Sequence, residues 1–222
     1  MRAITIQRFM RLVAVVLALF SGHRHRTIHD GRLQEDFRQE HACMGRIVAA
    51  PTAGSCGVIP AVLLTYLEEK NVEKTRVVEA LFVAAGIGQV IAETASISGA
   101  EGGCQAEIGS ASSMAAGALT YLENGDNEQI ANASALAMKN MLGLTCDPVA
   151  GLVEVPCIKR NVSGAVNAII SSQMAMAGIK SAIPADEVFE TMGRIGKLIP
   201  ACLKETSLEG LAKAPSALKF SS

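Results

Sequence analysis

The stretch GLTCDPVAGLVEVPCIKRN, residues 143–161, carries Cys146 and Cys157 among two prolines and two glycines. Neither a helix interior nor a central strand runs undisturbed through that many breakers, so both thiols are expected on loop. Cys56 in GSCG and Cys104 in GGC also stand beside glycine. A cysteine kept for packing lies more often inside a helix, so four thiols at loops point toward ligation of a metal or a cluster. No CxxC occurs, which weakens a zinc ribbon or a thioredoxin-like redox site, and bacterial ferredoxin spacing is absent too. Cys43 and Cys202 complete the six cysteines. An even number permits disulfides, but disulfide scaffolds are typically small, secreted and dense in cysteine, whereas this chain is long and rich in alanine.

The elements that would position these thiols follow from composition. The 222 residues suffice for one domain, or one domain with an appendage, and a sizeable core. Half the residues are hydrophobic but only 4% are aromatic and none is Trp, so Ala, Leu, Ile, Val and Met must fill the interior. That favours closely packed helices over a β-sandwich. With 20 Lys and Arg against 21 Asp and Glu, no global field attracts nucleic acid or an anionic membrane, and a small-molecule function is expected.

Residues 1–22 place Arg2, Arg8 and Arg11 before an apolar run at 12–20, the layout of a signal peptide, but the run is too short to span a bilayer and no A-x-A-type site follows. The charged, histidine-rich stretch after it has no periodicity, so residues 1–42 are read as a leader apart from the fold and 43–222 as the domain. From Met44 onward the texture changes. PAVLLTYLEEKN opens a helix with Pro60 in its first turn. TRVVEALFVAAGIGQVIAETA, residues 75–95, is apolar nearly all round and reads as a central core helix. A Gly-rich loop then passes into an Ala/Ser helix ending near Glu123, NGDN makes a turn, and EQIANASALAMKNMLG is a helix stopped by Gly143. SGAVNAIISSQMAMAG and ADEVFETMGRIGKLI, the latter between Pro184 and Pro200, complete an all-α bundle with Gly/Pro-rich loops.

Three motifs in order, PTAGSCGVIPA at 51–61, EGGCQAEIGSAS at 101–112 and NMLGLTCDPVAGLVEVPCIKRN at 140–161, resemble the α-chain of the iron-sulfur L-serine dehydratases. IPACLKETSLEGLAKAPSA at 199–217 is similar to that family's ending. The resemblance implies a 4Fe-4S cluster on Cys104, Cys146 and Cys157, with Cys56 a buried small side chain. Three thiolates leave one iron open as a Lewis acid for the hydroxyl of L-serine. Loss of the α-proton and of water gives an aminoacrylate, which hydrolyses to pyruvate and ammonia, with no pyridoxal phosphate required. The family also implies a β-chain or β-domain, a homo-oligomer, a cytoplasmic location suited to an oxygen-labile cluster, and a place in amino-acid degradation.

By the same resemblance Thr52, Ala53 and Gly54 receive the substrate carboxylate at a turn before a helix N-terminus. Ser110 and Ser112 are expected either to cap a helix or to face the cluster, capping being the preferred reading. Lys159 and Arg160 either balance an anionic site or are a solvated pair; Asp147 and Glu154 are expected to orient the ligand loop, and Asn161 to serve a loop or cap. His23, His25, His29 and His41 all lie in the leader, so the general base is unassigned. The family's usual approach to Met44 is replaced here by an unrelated stretch. Two alternatives stand beside the enzyme: a non-catalytic fragment of it, and a zinc- or disulfide-stabilised exported protein.

Overall fold

The computed structural model describes residues 48–151 and 155–220. The leader with its four histidines, the boundary at residue 42, Cys43 and Glu154 lie outside the described residues. Helices α1 (Val58–Lys70), α2 (Lys74–Thr94) and the single turn α3 (Gly99–Gly102) come first. A π-helical turn, Gln105–Gly109, runs directly into α4 (Ser110–Leu122). Then follow α5 (Asn127–Lys139), α6 (Cys157–Met176), α7 (Ala185–Leu198) and three short 3-10 turns near the C-terminus. Among the described residues there is no strand, only an isolated parallel bridge between Cys146 and Lys204.

Local chemistry explains the breaks. Asp126 and Gln129 form a reciprocal capping box that starts α5, with Gln129 N–H donating to Asp126 Oδ1 at 2.8 Å and Asp126 N–H donating to Gln129 Oε1 at 3.0 Å. Pro184 and Pro200 bracket α7 as the sequence predicts. α6 begins earlier than its apolar pattern suggests, so Cys157 is its first residue rather than a loop position.

The centre of the bundle is α4, and here the structure corrects the sequence reading of α2. α4 packs against α1, α2, α5 and α6, and all of its residues except Tyr121 are buried. Its Ala, Gly and Ser side chains let neighbouring helices approach closely, and Leu63, Ile91 and Met138 fill the spaces between. α2 lies at the edge. It presses Val77, Ala80, Ala84, Gly88 and Ile91 inward but exposes Val78, Leu81, Phe82 and Val90, Phe82 by 75%. By length and composition alone α2 could cross a membrane. An apolar circumference says that a helix avoids water, not which side finds its neighbours within one chain.

The expected caps are also corrected. Because the π turn continues into α4 without a break, its N-terminus has no side-chain cap. Ser112 instead donates to Gly164 O at 2.8 Å, tying α4 to α6, and the buried Ser110 hydroxyl has no hydrogen-bond partner among the described residues.

Candidate functional site

Three chain segments bring the thiols together. Gly103 takes φ +79°, a conformation natural to glycine, and a Cβ there would stand 2.9 Å from Leu144 O. The chain can therefore reverse tightly, Gln105 N–H donates to Leu144 O at 3.0 Å, and the Cys104 segment is tied to the loop that carries Cys146. Cys146 is itself held in a small ladder, donating to Leu203 O at 2.8 Å and accepting from Glu205 N–H at 2.8 Å. Cys157 enters from the N-terminus of α6, where the helix dipole favours negative charge.

All three thiols are buried, and those of Cys146 and Cys157 lie close enough to hydrogen-bond Cys104. Those two bonds hold the Cys104 thiol far below its ordinary value, at about 3, against the cost of burial, with Arg160 adding to the effect. The same bonds push Cys146 and Cys157 upward, so the three thiols titrate together and not independently. Cys56 and Cys202 are free and half-buried, and burial raises the Cys56 thiol.

Arg160 and Asn161 brace this arrangement, while Lys159 is exposed. Arg160 pairs with Asp147 at 2.9 Å in a largely buried bridge and donates to Thr145 O at 2.6 Å. Asp147 also accepts from Leu211 N–H at 2.8 Å, so it fixes the loop that carries Cys146 against Arg160 and the C-terminal segment. Asn161 is fully buried. It accepts from Gly57 N–H at 3.0 Å and donates to Gly54 O at 2.7 Å and Cys157 O at 2.9 Å, fastening the turn at 52–57 to the helix bearing Cys157.

In that turn, the N–H groups of Ala53 and Gly54 donate to no group among the described residues. Thr52 donates to Glu107 Oε1 at 2.7 Å and lies 3.0 Å from Ser55 Oγ. The structure thus places Thr52, Ala53 and Gly54 beside the thiols through a residue that sequence reasoning passed over. Glu107 is only 8% exposed, and a carboxylate oxygen of Glu107, Cys104 Sγ and Cys146 Sγ all lie within 4.8 Å of one another. Burial lifts the Glu107 carboxyl to about 7, opposed by the Thr52 hydrogen bond and assisted by Cys104 and Glu205. The signal that marked it was a lone charge in the otherwise uncharged segment GGCQAEIGSAS. Gln105, also fully buried, serves packing instead: it donates to Met192 O at 3.1 Å and accepts from Gly143 N–H at 2.9 Å.

The donor set fits a metal cofactor. Three soft thiols converge at a helix N-terminus beside a guanidinium, which favours their ionised form, and a carboxyl group stands next to them. A surface groove at the other end of α5, lined by Asp126, Gln129, Asn132 and Lys180, contains no thiol and offers no comparable chemistry.

The sequence matches the family model described as "Serine dehydratase alpha chain" over residues 37–212. It is 54% identical over 176 residues to the "Probable L-serine dehydratase, alpha chain" of Bacillus subtilis (strain 168), covering 79% of this chain and 59% of that protein. Against the protein of the same name from Latilactobacillus sakei, identity is 51% over 178 residues, covering 80% of this chain and 85% of the relative. The "L-serine dehydratase, alpha chain" of Peptoniphilus asaccharolyticus is 49% identical over 180 residues, which cover 81% of this chain and 62% of it. The chain therefore spans less than two thirds of the Bacillus and Peptoniphilus proteins.

Proposed function

Because this chain belongs to the serine dehydratase alpha chain family, we propose that it is the α-chain of an L-serine ammonia-lyase, converting L-serine to pyruvate and ammonia. The observation that carries this reading is the convergence of Cys104, Cys146 and Cys157 beside a turn whose N–H groups at Ala53 and Gly54 are free to take a carboxylate. A 4Fe-4S cluster held by those cysteines would supply one iron without a protein ligand, a Lewis acid for the substrate hydroxyl.

The chain's own residues do the rest. Ala53 and Gly54 receive the substrate carboxylate, and Thr52 fixes the rim of the pocket through its hydrogen bond to Glu107. Asn161 holds the turn and Cys157 in register, so that a substrate bound by its carboxylate presents its hydroxyl to the thiols. Arg160, close to Cys104, offsets the negative charge of the thiolates. The reading includes a β-chain or β-domain and a homo-oligomer, which the exposed apolar side of α2 supports, and a cytoplasmic location, which an oxygen-labile cluster supports.

The test is anaerobic reconstitution with iron and sulfide, followed by visible absorption, iron per chain and pyruvate formation from L-serine, with and without a supplied β-chain. About four irons per chain and pyruvate are expected. A protein that takes up no iron, or that gains a cluster but yields no pyruvate even with a β-chain, overturns the assignment.

A further inference from the structure

L-Serine carries an ammonium group on the same carbon as its carboxylate. A water-excluding site that binds one needs a partner for the other, since an unpaired buried charge is costly. The carboxylate's partners are the N–H groups at residues 53 and 54, and the hydroxyl faces the thiols. Glu107 is the buried carboxylate between those two places.

Its surroundings are shaped around the second oxygen. Thr52 occupies Oε1 at 2.7 Å, but among the described residues Oε2 accepts no hydrogen bond. Two glycines from different segments leave the space in which the carboxylate lies. A Cβ on Gly54 would stand 3.1 Å from Oε2, and one on Gly99 would stand 2.8 Å from it. Glu205 Oε1 crowds the same Gly99 position from the outer side, so two carboxylates converge at one point. Glu205 is exposed, at φ 60°, and is anchored by its N–H on Cys146 O. Two carboxyl groups thus converge where no cation of the described residues pairs with either, since Arg160 is committed to Asp147 and Cys104.

We infer that Glu107 is the ammonium-binding residue of the site, its free Oε2 accepting from the α-ammonium of L-serine while the 52–54 turn holds the carboxylate. The inference rests on the serine-lyase reading above and deepens it by naming what selects an α-amino acid over other β-hydroxy acids. Thr52 orients the carboxylate, and Glu205 lies further out as a secondary attraction for the cation.

The experiment compares two ligands on the anaerobically reconstituted chain by calorimetric titration: L-serine, and 3-hydroxypropionate, which is serine with the ammonium replaced by hydrogen. A charge-assisted hydrogen bond to a buried carboxylate predicts a preference for L-serine of about ten- to a hundredfold. In Glu107→Gln the preference is expected to fall below about threefold, with 3-hydroxypropionate binding and the cluster's absorption unchanged, whereas Glu205→Gln keeps most of it. A Glu107→Gln protein that binds its cluster and retains the preference overturns the inference. So does a wild-type chain that binds both ligands equally, a result that needs no variant. Wild-type pyruvate formation with a retained preference in Glu107→Gln removes this inference alone, while a wild type that binds neither ligand removes the lyase reading with it.

Discussion

Two clusters of polar side chains hold this molecule together at different places, and they are built from similar groups. At the surface Arg76 donates to Glu79 at 3.1 Å, to Tyr121 Oη at 2.7 Å and to Asn124 Oδ1 at 3.1 Å, with its guanidinium 4.6 Å from the Tyr121 ring centre. At the thiol site Arg160 binds Asp147 and Thr145, and Thr52 binds Glu107. The surface pair of Arg76 and Glu79 has side chains 36% and 52% exposed; those of Arg160 and Asp147 are 16% and 6% exposed. Water screens the first cluster, so its bonds tidy a surface. Burial makes each charge in the second depend on its neighbours, and there a carboxyl shifts to about 7 and a thiol to about 3.

Breaking the buried cluster should therefore cost far more than breaking the exposed one. The largest effect is expected from Cys104→Ser, Cys146→Ser or Cys157→Ser, each of which should abolish iron binding after reconstitution, while Cys202→Ser leaves iron per chain nearly unchanged. Equal losses in all four would erase the distinction between the thiol site and the half-buried cysteines.

Next comes Arg160→Met. Removing one member of a buried pair strands Asp147, and the expected loss is about 3–5 kcal/mol in urea unfolding. A loss below about 1 kcal/mol would show that water reaches the site as freely as it reaches Arg76.

A smaller and pH-dependent effect is expected from Glu107 before any metal is added. Its folded-state carboxyl keeps a proton up to about pH 7, whereas in the unfolded chain it ionises near the ordinary value of 4.5. The folded form binds more protons across that window, so this contribution to stability is full below pH 4.5 and is lost as the pH rises through 7. The metal-free protein should lose on the order of 2–3 kcal/mol between those limits, and Glu107→Gln should not. Urea titrations across the window check this: matching slopes for the two proteins would mean that Glu107 is solvated.

The smallest effect belongs to Arg76→Ala. Its melting temperature should fall by no more than about 3 °C, with iron uptake and ligand binding unaffected. A larger fall would give the surface cluster the status of the buried one.

Much of the architecture was legible because it is local. Proline on either side of α7, the Asp126 and Gln129 capping box, and the turn after Glu123 act within a few residues, and the described helices begin and end close to where those signals stand. The cysteine choice came from motif words, and the structure brings those three thiols together, whereas Cys56 and Cys202 are half-buried and contribute to none of the trio's shifts. The preferred capping reading of Ser110 and Ser112 failed because a cap requires a helix to begin there, and the π turn leaves no beginning.

By itself, then, the sequence determined the all-α class, the order of the helices and the thiols that meet, since periodicity, breakers and motif residues are all written along the chain. Only the tertiary structure decided that α4 rather than α2 occupies the centre, because both are apolar and the outcome depends on which faces find partners. It alone also made Glu107 part of the site. Thr52 lies 55 residues before Glu107 in the chain, Asn161 lies 107 residues after the Gly54 it holds, and Gly99 supplies space from a third segment. A carboxylate acquires a raised pKa and an open oxygen from what surrounds it, and those surroundings exist only after distant segments have packed.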